Sequence, residues 1–425
     1  MINALVTATA IAVIHATAWP MTGHGKIDNA TVVIRDGKIA SVEASGAAPA
    51  DAQIIDARGA VVTPGLMNAA TQLGLVETGQ ADETNDMATT NASLGAGFDI
   101  SYALNANSVL LPVARADGLT RAVSYPSGAG AAPFTGQAAV IDLNGSADIL
   151  DQARVALYAQ VGSASLSGAG GSRAGQWQLL RNALNDVRDA MNSDGDPGHD
   201  HDHPHHDHPH DHQWRDQQPL MRVLDGSVPL VIQAQRESDI RQAIALQKDF
   251  GIHVVLMGAD EAWRCADALA AAHIAVVLDP MDNLPASFDQ IGARLDNAAR
   301  LDKAGVKLAI YSSGNTIYLS YNAGLGMREA AGLAVANGLD YEHALAAMTR
   351  GPAEIFGIAG HYGTLTPGMD GDLVVWDGDP LEPSSAPTHV FVKGVEASLV
   401  TRQTELRNRY YPAPKPGELP AEYRK

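Results

Sequence analysis

The chain predicts an α/β barrel flanked by a small β-domain assembled from both of its ends. Through the middle, apolar strand-like runs alternate with alanine-rich segments of helical period: Val228 to Gln235 then Asp239 to Phe250, His253 to Gly258 then Ala262 to Ala272, Ala275 to Asp279 then Phe288 to Ala304. Parallel strands need such crossovers, and a run of them closes into a sheet or a barrel. Short β-branched strands with tight turns mark the two ends instead. A length of 425 residues, 46% of them hydrophobic and 18% charged, gives room for a large folded core.

The elements follow in order. Met1 to Gly25 is uncharged, and no Lys or Arg precedes Lys26, so the basic start of an export signal is missing. Ala10 to Thr17 reads as a strand, which leaves only the first residues as the remnant of a longer leader. Thr31 to Val42 (T-V-V-I-R-D-G-K-I-A-S-V) is a hairpin turning at Asp36-Gly37. Barrel strands are expected at Val61 to Met67, Leu119 to Tyr125, Val228 to Gln235, His253 to Gly258, Ala275 to Asp279 and Val306 to Tyr311. A complete barrel has eight. The missing two are sought at Ala138 to Leu143 and Met221 to Val223, unless the barrel is modified. Arg173 to Met191 is a long helix. Asp372 to Trp376 and Thr388 to Val400, with a turn at Lys393-Gly394, repeat the hairpin style of the N-terminus. The tail after Arg402, carrying Pro412, Pro414, Pro416 and Pro420, is expected to run extended over the surface.

Composition excludes several partners. Acidic residues outnumber basic ones 48 to 29, and a net charge of −19 repels nucleic-acid phosphates and anionic lipid. No stretch of 18 apolar residues suggests a membrane span. The single cysteine, Cys265, excludes an intrachain disulfide and a cysteine zinc site. The G-x-S-x-G, G-x-x-x-x-G-K-[ST] and G-x-G-x-x-G motifs of serine hydrolases and nucleotide sites are absent.

The hairpin V-V-I-R-D-G-K-I-A-S-V, then V-V-T-P-G-L-M-N (Val61 to Asn68), then G-T-L-T-P-G-M-D-G-D-L-V-V-W-D-G-D-P-L (Gly363 to Leu381) resembles the amidohydrolase superfamily, its imidazolonepropionase-like branch above all. Ala323 to Ile358 looks like that family's last barrel helices. The resemblance implies a TIM-like (β/α) barrel at 61–362, a β-sandwich from 1–60 and 363–402, and a polar tail at 403–425. It also implies hydrolysis of non-peptide C–N bonds by a metal at the C-terminal ends of the strands, where a bound cation lowers the pKa of water from 15.7 to about 7.

The metal-ligand pattern departs from the family's. Where the first strand should read P-G-x-x-D-x-H-x-H, Pro64-Gly65 is followed by Asn68, Ala70 and Gln72. The His-x-His-Arg context matches Gln233 and Gln235 before Arg236, the next histidine falls on Gly258, and the final aspartate falls on Ser313, or on Asn315 two residues later. Amides neither neutralise a dication nor donate well to zinc, so no cofactor is expected in the barrel. Asn68, Gln72, Gln233 and Gln235 can hydrogen-bond one another as a polar plug; they are expected to be ordinary polar residues of a degenerate barrel, with a ligand pocket as the alternative. None of the other histidines outside residues 198–213 lands at a strand's C-terminal end: His253 begins its strand and His343 lies on a helix. Glu77, Asp82, Glu83 and Asp86 read as a solvated loop, with acid/base work as the alternative. The glycine-rich stretch within Thr120 to Gln137 is either an anion cradle or a plain connection.

An insertion at 198–213 holds His199, His201, His203, His205, His206, His208, His210 and His212 among four aspartates. That ligand set suits Zn, Ni or Cu. Three functions are carried forward: a non-catalytic subunit supporting an active amidohydrolase paralogue, or acting in a homo-oligomer; an active hydrolase of amides, cyclic imides or dipeptide-like compounds with a divergent site; and divalent-metal binding by the histidine loop. The resemblance implies a periplasmic or exported protein, with the cytoplasm as the alternative.

Overall fold

The computed structural model describes residues 10–78, 81–91, 94–128, 133–193, 213–312 and 321–411. Strands β1 (Ala10–Ala18), β2 (Ile27–Arg35), β3 (Lys38–Ala44), β4 (Ala52–Asp56) and β5 (Val61–Pro64) open the chain. The barrel follows with β6 (Leu66–Thr71), β7 (Leu119–Ser124), β8 (Phe134–Asp142), β9 (Leu150–Gln160), β10 (Leu230–Ala234), β11 (Val254–Gly258), β12 (Ala275–Leu278) and β13 (Leu308–Ile310). Strands β14 (Leu373–Trp376), β15 (Pro387–Val392) and β16 (Val395–Glu396) return to join the first five in one eight-stranded sheet.

That terminal sheet bends at β1. Its first half pairs with β4 and its second half with β5, the change falling at His15, whose φ is 55°. A strand that switches partners folds its sheet over a core, here Val13, Val32, Ile39, Val62, Leu373 and Phe391. Both hairpins turn through two left-handed residues, Asp36-Gly37 and Lys393-Gly394, the geometry that matches strand twist. The two turns meet. A Cβ on Gly394 would lie 2.6 Å from the Cα of Gly37, so glycine is required where the chain's ends are stitched together.

Barrel strands neighbour one another in chain order, all parallel except β8, which runs antiparallel to both β7 and β9. The seam between β13 and β6 is bridged by the chain itself: Ile310 donates its N–H to Ala347 O (2.9 Å) and Met67 donates to Met348 O (2.8 Å). Alternate residues point inward (Met67, Val123, Val140, Val231, Met257, Val277) and outward to the helices (Leu66, Leu230, Ile232, Leu256, Val276). Burial on both faces explains why these strands read as unbroken apolar runs. Beneath the barrel the fully buried Arg121 reaches Asp372 (2.7 Å), Asp370 (3.2 Å) and Asp151 (3.7 Å), while Lys393 reaches Asp142 (2.7 Å) and Asp151 (3.0 Å). These ion pairs lock the barrel onto the terminal sheet.

Several expectations are corrected. The run Val61 to Met67 is two strands, because the chain crosses from sheet to barrel at Gly65, where a Cβ would collide with Thr120. The first four residues after position 60 therefore belong to the terminal sheet. Ala138 to Leu143 falls within or beside β8, but Met221 to Val223 lies inside the helix Gln213–Leu224. The remaining strand is β9, hidden in the sequence because its outer half is solvated and polar. The segment after Arg402 begins as a helix, Arg402–Tyr410, whose Thr401 and Thr404 form a reciprocal capping box; its prolines lie outside the described residues. Among the described residues no helix is long and apolar enough to cross a membrane.

Candidate functional site at the C-terminal mouth of the barrel

The parallel strands deliver Asn68, Gln72, Tyr125, Gln233, Gln235, Gly258, Asp260, Asp279 and Tyr311 to one end of the barrel, on or just beyond their C-terminal ends. The sequence-predicted positions are thus brought together, except for Ser313 and Asn315, which lie outside the described residues. The histidine loop His199 to His212 lies outside them as well.

The amides do not form a mutual plug. Asn68 donates Nδ2–H to Ala323 O (2.7 Å) and accepts from Ala70 N (3.0 Å). Gln235 Oε1 accepts from Asp260 N (3.3 Å). Gln72 is 1% exposed, and neither end of its amide has a hydrogen-bond partner. None of the hydrogen bonds among the described residues joins two of these four side chains; backbone groups take up Asn68 and Gln235 instead. Ala70 simply joins the apolar interior.

Gly258, where the resemblance expects a histidine, has no room for a side chain. Its φ is +82°, and a Cβ built there would lie within 2.5 Å of Gln235 Oε1. Any side chain at 258 has to expel Gln235 and accept left-handed backbone.

Aromatic rings fill the interior instead. Tyr125 and Tyr158 stack with centroids 5.1 Å apart, and Tyr311 belongs to the same buried cluster. Burial pushes the Tyr125 phenol up to about 12 and those of Tyr158 and Tyr311 well above the usual value, so all three stay neutral.

Beside the rings stands a group of carboxylates that the sequence reading missed. Asp260 is 3% exposed, hydrogen-bonds to Gln290, and leaves Oδ2 without a partner. Burial, reinforced by Asp282, Asp279 and Glu261, pushes its carboxyl up to about 7. Asp279 follows β12 directly and Asp260 follows β11 by two residues. That position, just past a strand's C-terminal end, is the signal in the sequence that points to them. Chemically, the mouth offers one carboxyl able to give or take a proton near neutrality, neutral phenols and unpaired amide groups.

The residues present do not fit the divalent cation that the resemblance implies. Among the described residues no three His, Cys, Asp or Glu side chains converge to hold an ion. His343 is occupied by Asp302 (2.8 Å), which raises its pKa, and His361 approaches Asp151 (3.4 Å) near the opposite end. Asp82 and Glu83 sit in an exposed single turn, and Glu77 accepts from Asn105 (3.2 Å) and Val109 N (3.2 Å), tying a loop to the following helix.

Residues 222–398 match the Amidohydrolase family. The fold is similar to that of an amidohydrolase from Thermotoga maritima (24% identity, TM-score 0.79, 91% of this chain and 99% of that one). Phenylurea hydrolase B (16%, TM-score 0.52, 92% and 97%) and molinate hydrolase (18%, 0.51, 92% and 95%) share the fold more loosely. A 57-residue stretch is 44% identical to Amidohydrolase tasK of Hapsidospora irregularis, covering 13% of this chain and only 6% of that protein. The nearly closed eight-strand barrel and terminal sheet are thus the fold of a known amidohydrolase, and residues 222–398 are similar in sequence to the Amidohydrolase family.

Proposed function

We propose that this chain is a non-catalytic amidohydrolase-like subunit that assembles with an active relative and supports it. The observation that carries the reading is Gly258: the place of a metal-binding imidazole is taken by left-handed glycine with the Gln235 amide against it. Asn68, Ala70, Gln72 and Gln233 supply neither an imidazole nor a carboxylate in its place. Association is supported by the loop after β12, which exposes Leu284 (74%), Phe288 (88%) and Ile291 (62%). Its base is pinned: Asp289 accepts from Ser163 N (2.7 Å) and pairs with Arg173, and Trp263 donates to Gly292 O (2.8 Å). Ordered apolar patches of this kind mark contact surfaces, and the partner it is assigned is the active relative. Light scattering on the chain mixed with a relative that retains P-G-x-x-D-x-H-x-H tests this. A complex that Phe288→Ser with Ile291→Ser dissolves is expected. Turnover by the lone chain on amides, cyclic imides, dipeptides or phenylureas contradicts it.

One observation favours a second reading, an active C–N hydrolase with a divergent site. Asp260, poised near neutrality with a free oxygen in the mouth, has the properties of a general acid or base. Under that reading Asp260→Asn abolishes turnover and chelators leave it unchanged.

A further inference from the structure

The opposite, N-terminal end of the barrel holds a cavity of about 560 Å³, within the size range of small-molecule sites. Its floor is apolar, formed by Val155, Val255, Ala275 and Phe356. Its ionisable lining is His253, His273, Lys307 and Glu354.

The two histidines are placed by the sheet. Val255 of β11 pairs with Ala275 of β12, and His253, just before the first strand, and His273, in the turn that leads into the second, both line the cavity. Gly226 lies against the first ring: a Cβ there would stand 3.5 Å from Cδ2 and 3.6 Å from Nε2 of His253. Neither imidazole makes a hydrogen bond or ion pair among the described residues. Glu354 is shared between Lys307 (2.7 Å) and Arg350 (3.6 Å), so its charge is spent. On a chain of net charge −19 this lining has more bases than acids. Each neutral imidazole still presents one N–H donor, and both become donors twice over when protonated. No unpaired carboxylate is there to hold a cation, and two imidazoles fall short of a closed metal site.

We propose that this cavity binds a small organic anion, a carboxylate or phosphate ester on a short apolar body. His253 and His273 hydrogen-bond the anionic head, and Val155, Val255 and Phe356 enclose the body. The site stands at the end of the barrel away from Asp260, so it is independent of whether the mouth is catalytic.

Calorimetry on the full chain tests it with benzoate and phenyl phosphate as anionic probes, and benzyl alcohol and benzylamine as neutral and cationic controls. Saturable binding of at least one anion, at least tenfold tighter than either control, is expected. Whichever of the two anions binds more tightly identifies the head group. His253→Gln with His273→Gln should weaken anion binding about tenfold with an unchanged melting temperature, since both rings are exposed. His253→Ala alone, which removes the ring from Gly226, should give a partial loss. Equal binding of all four probes, no saturation by either anion, or undiminished binding in the double variant overturns the proposal.

Discussion

Asp260 makes the barrel mouth sensitive to pH, and its replacement by asparagine isolates the effect. Folding moves its carboxyl from 3.8 to about 7, chiefly through burial and then through Asp282, Asp279 and Glu261. Between those values the native state keeps a proton that the unfolded chain has released, so stability falls as pH rises through that window. At about 1.4 kcal/mol per pH unit, the full cost above neutrality is roughly 4 kcal/mol. Asparagine is neutral at every pH and preserves the hydrogen-bonding shape of the protonated acid. Asp260→Asn should therefore match the native chain near pH 4 and exceed its stability by up to that amount at pH 8. Urea unfolding of both proteins at intervals between pH 4.5 and 8, followed by tryptophan fluorescence, measures the gap. A gap that stays constant with pH, or widens toward acid, refutes a raised Asp260.

Three further outcomes follow from the same structure. Gly258→Ala should cost about 2 kcal/mol, from left-handed backbone and the displaced Gln235 hydrogen bond; adding Gln235→Ala relieves the collision but not the backbone term, which a double-mutant cycle in urea will show. Arg121→Leu should destabilise by about 3–5 kcal/mol, because Asp151, Asp370 and Asp372 lose their shared buried cation; urea denaturation at pH 7.5 checks the loss. Mass-spectrometric metal analysis of the full chain should find Zn, Ni or Cu bound, and none after deletion of residues 198–213; an ion retained by the shortened chain would put a metal site elsewhere.

How far the sequence carried the architecture depended on burial. Strands β10 to β12 are apolar on both faces and stood out, as did the Asp36-Gly37 and Lys393-Gly394 turns, where only a left-handed pair fits. Strand β9 did not, because alternate residues of its outer half (Leu150, Gln152 and Arg154) are exposed before its inner half enters the barrel. The split at Gly65 was equally hidden: nothing in V-V-T-P-G-L-M-N signals that Thr120 will press against the glycine. That positions 68, 70, 72, 233, 235 and 258 carry no imidazole or carboxylate was readable directly. What fills the space was not, since Tyr125, Tyr158 and Tyr311 lie on three separate strands or their ends, and their stacking is a product of barrel closure.

The mouth therefore combines two features that pull apart. A barrel that only needed to stay folded would gain by burying apolar groups where Gln72 and Asp260 stand, because each unpartnered polar atom costs about 1–3 kcal/mol. Local rules broken at a stability cost are what functional sites display. Under either proposed reading, the cost is offset if the mouth opens to a cover that supplies the missing partners. If that cover is a partner chain, Gln72→Leu and Asp260→Asn weaken the complex and leave the relative's own turnover intact. If it is a substrate, the same changes act on turnover by the lone chain, and Asp260→Asn removes it even where binding survives. The two readings of this protein thus meet at the same two side chains and separate on which measurement responds.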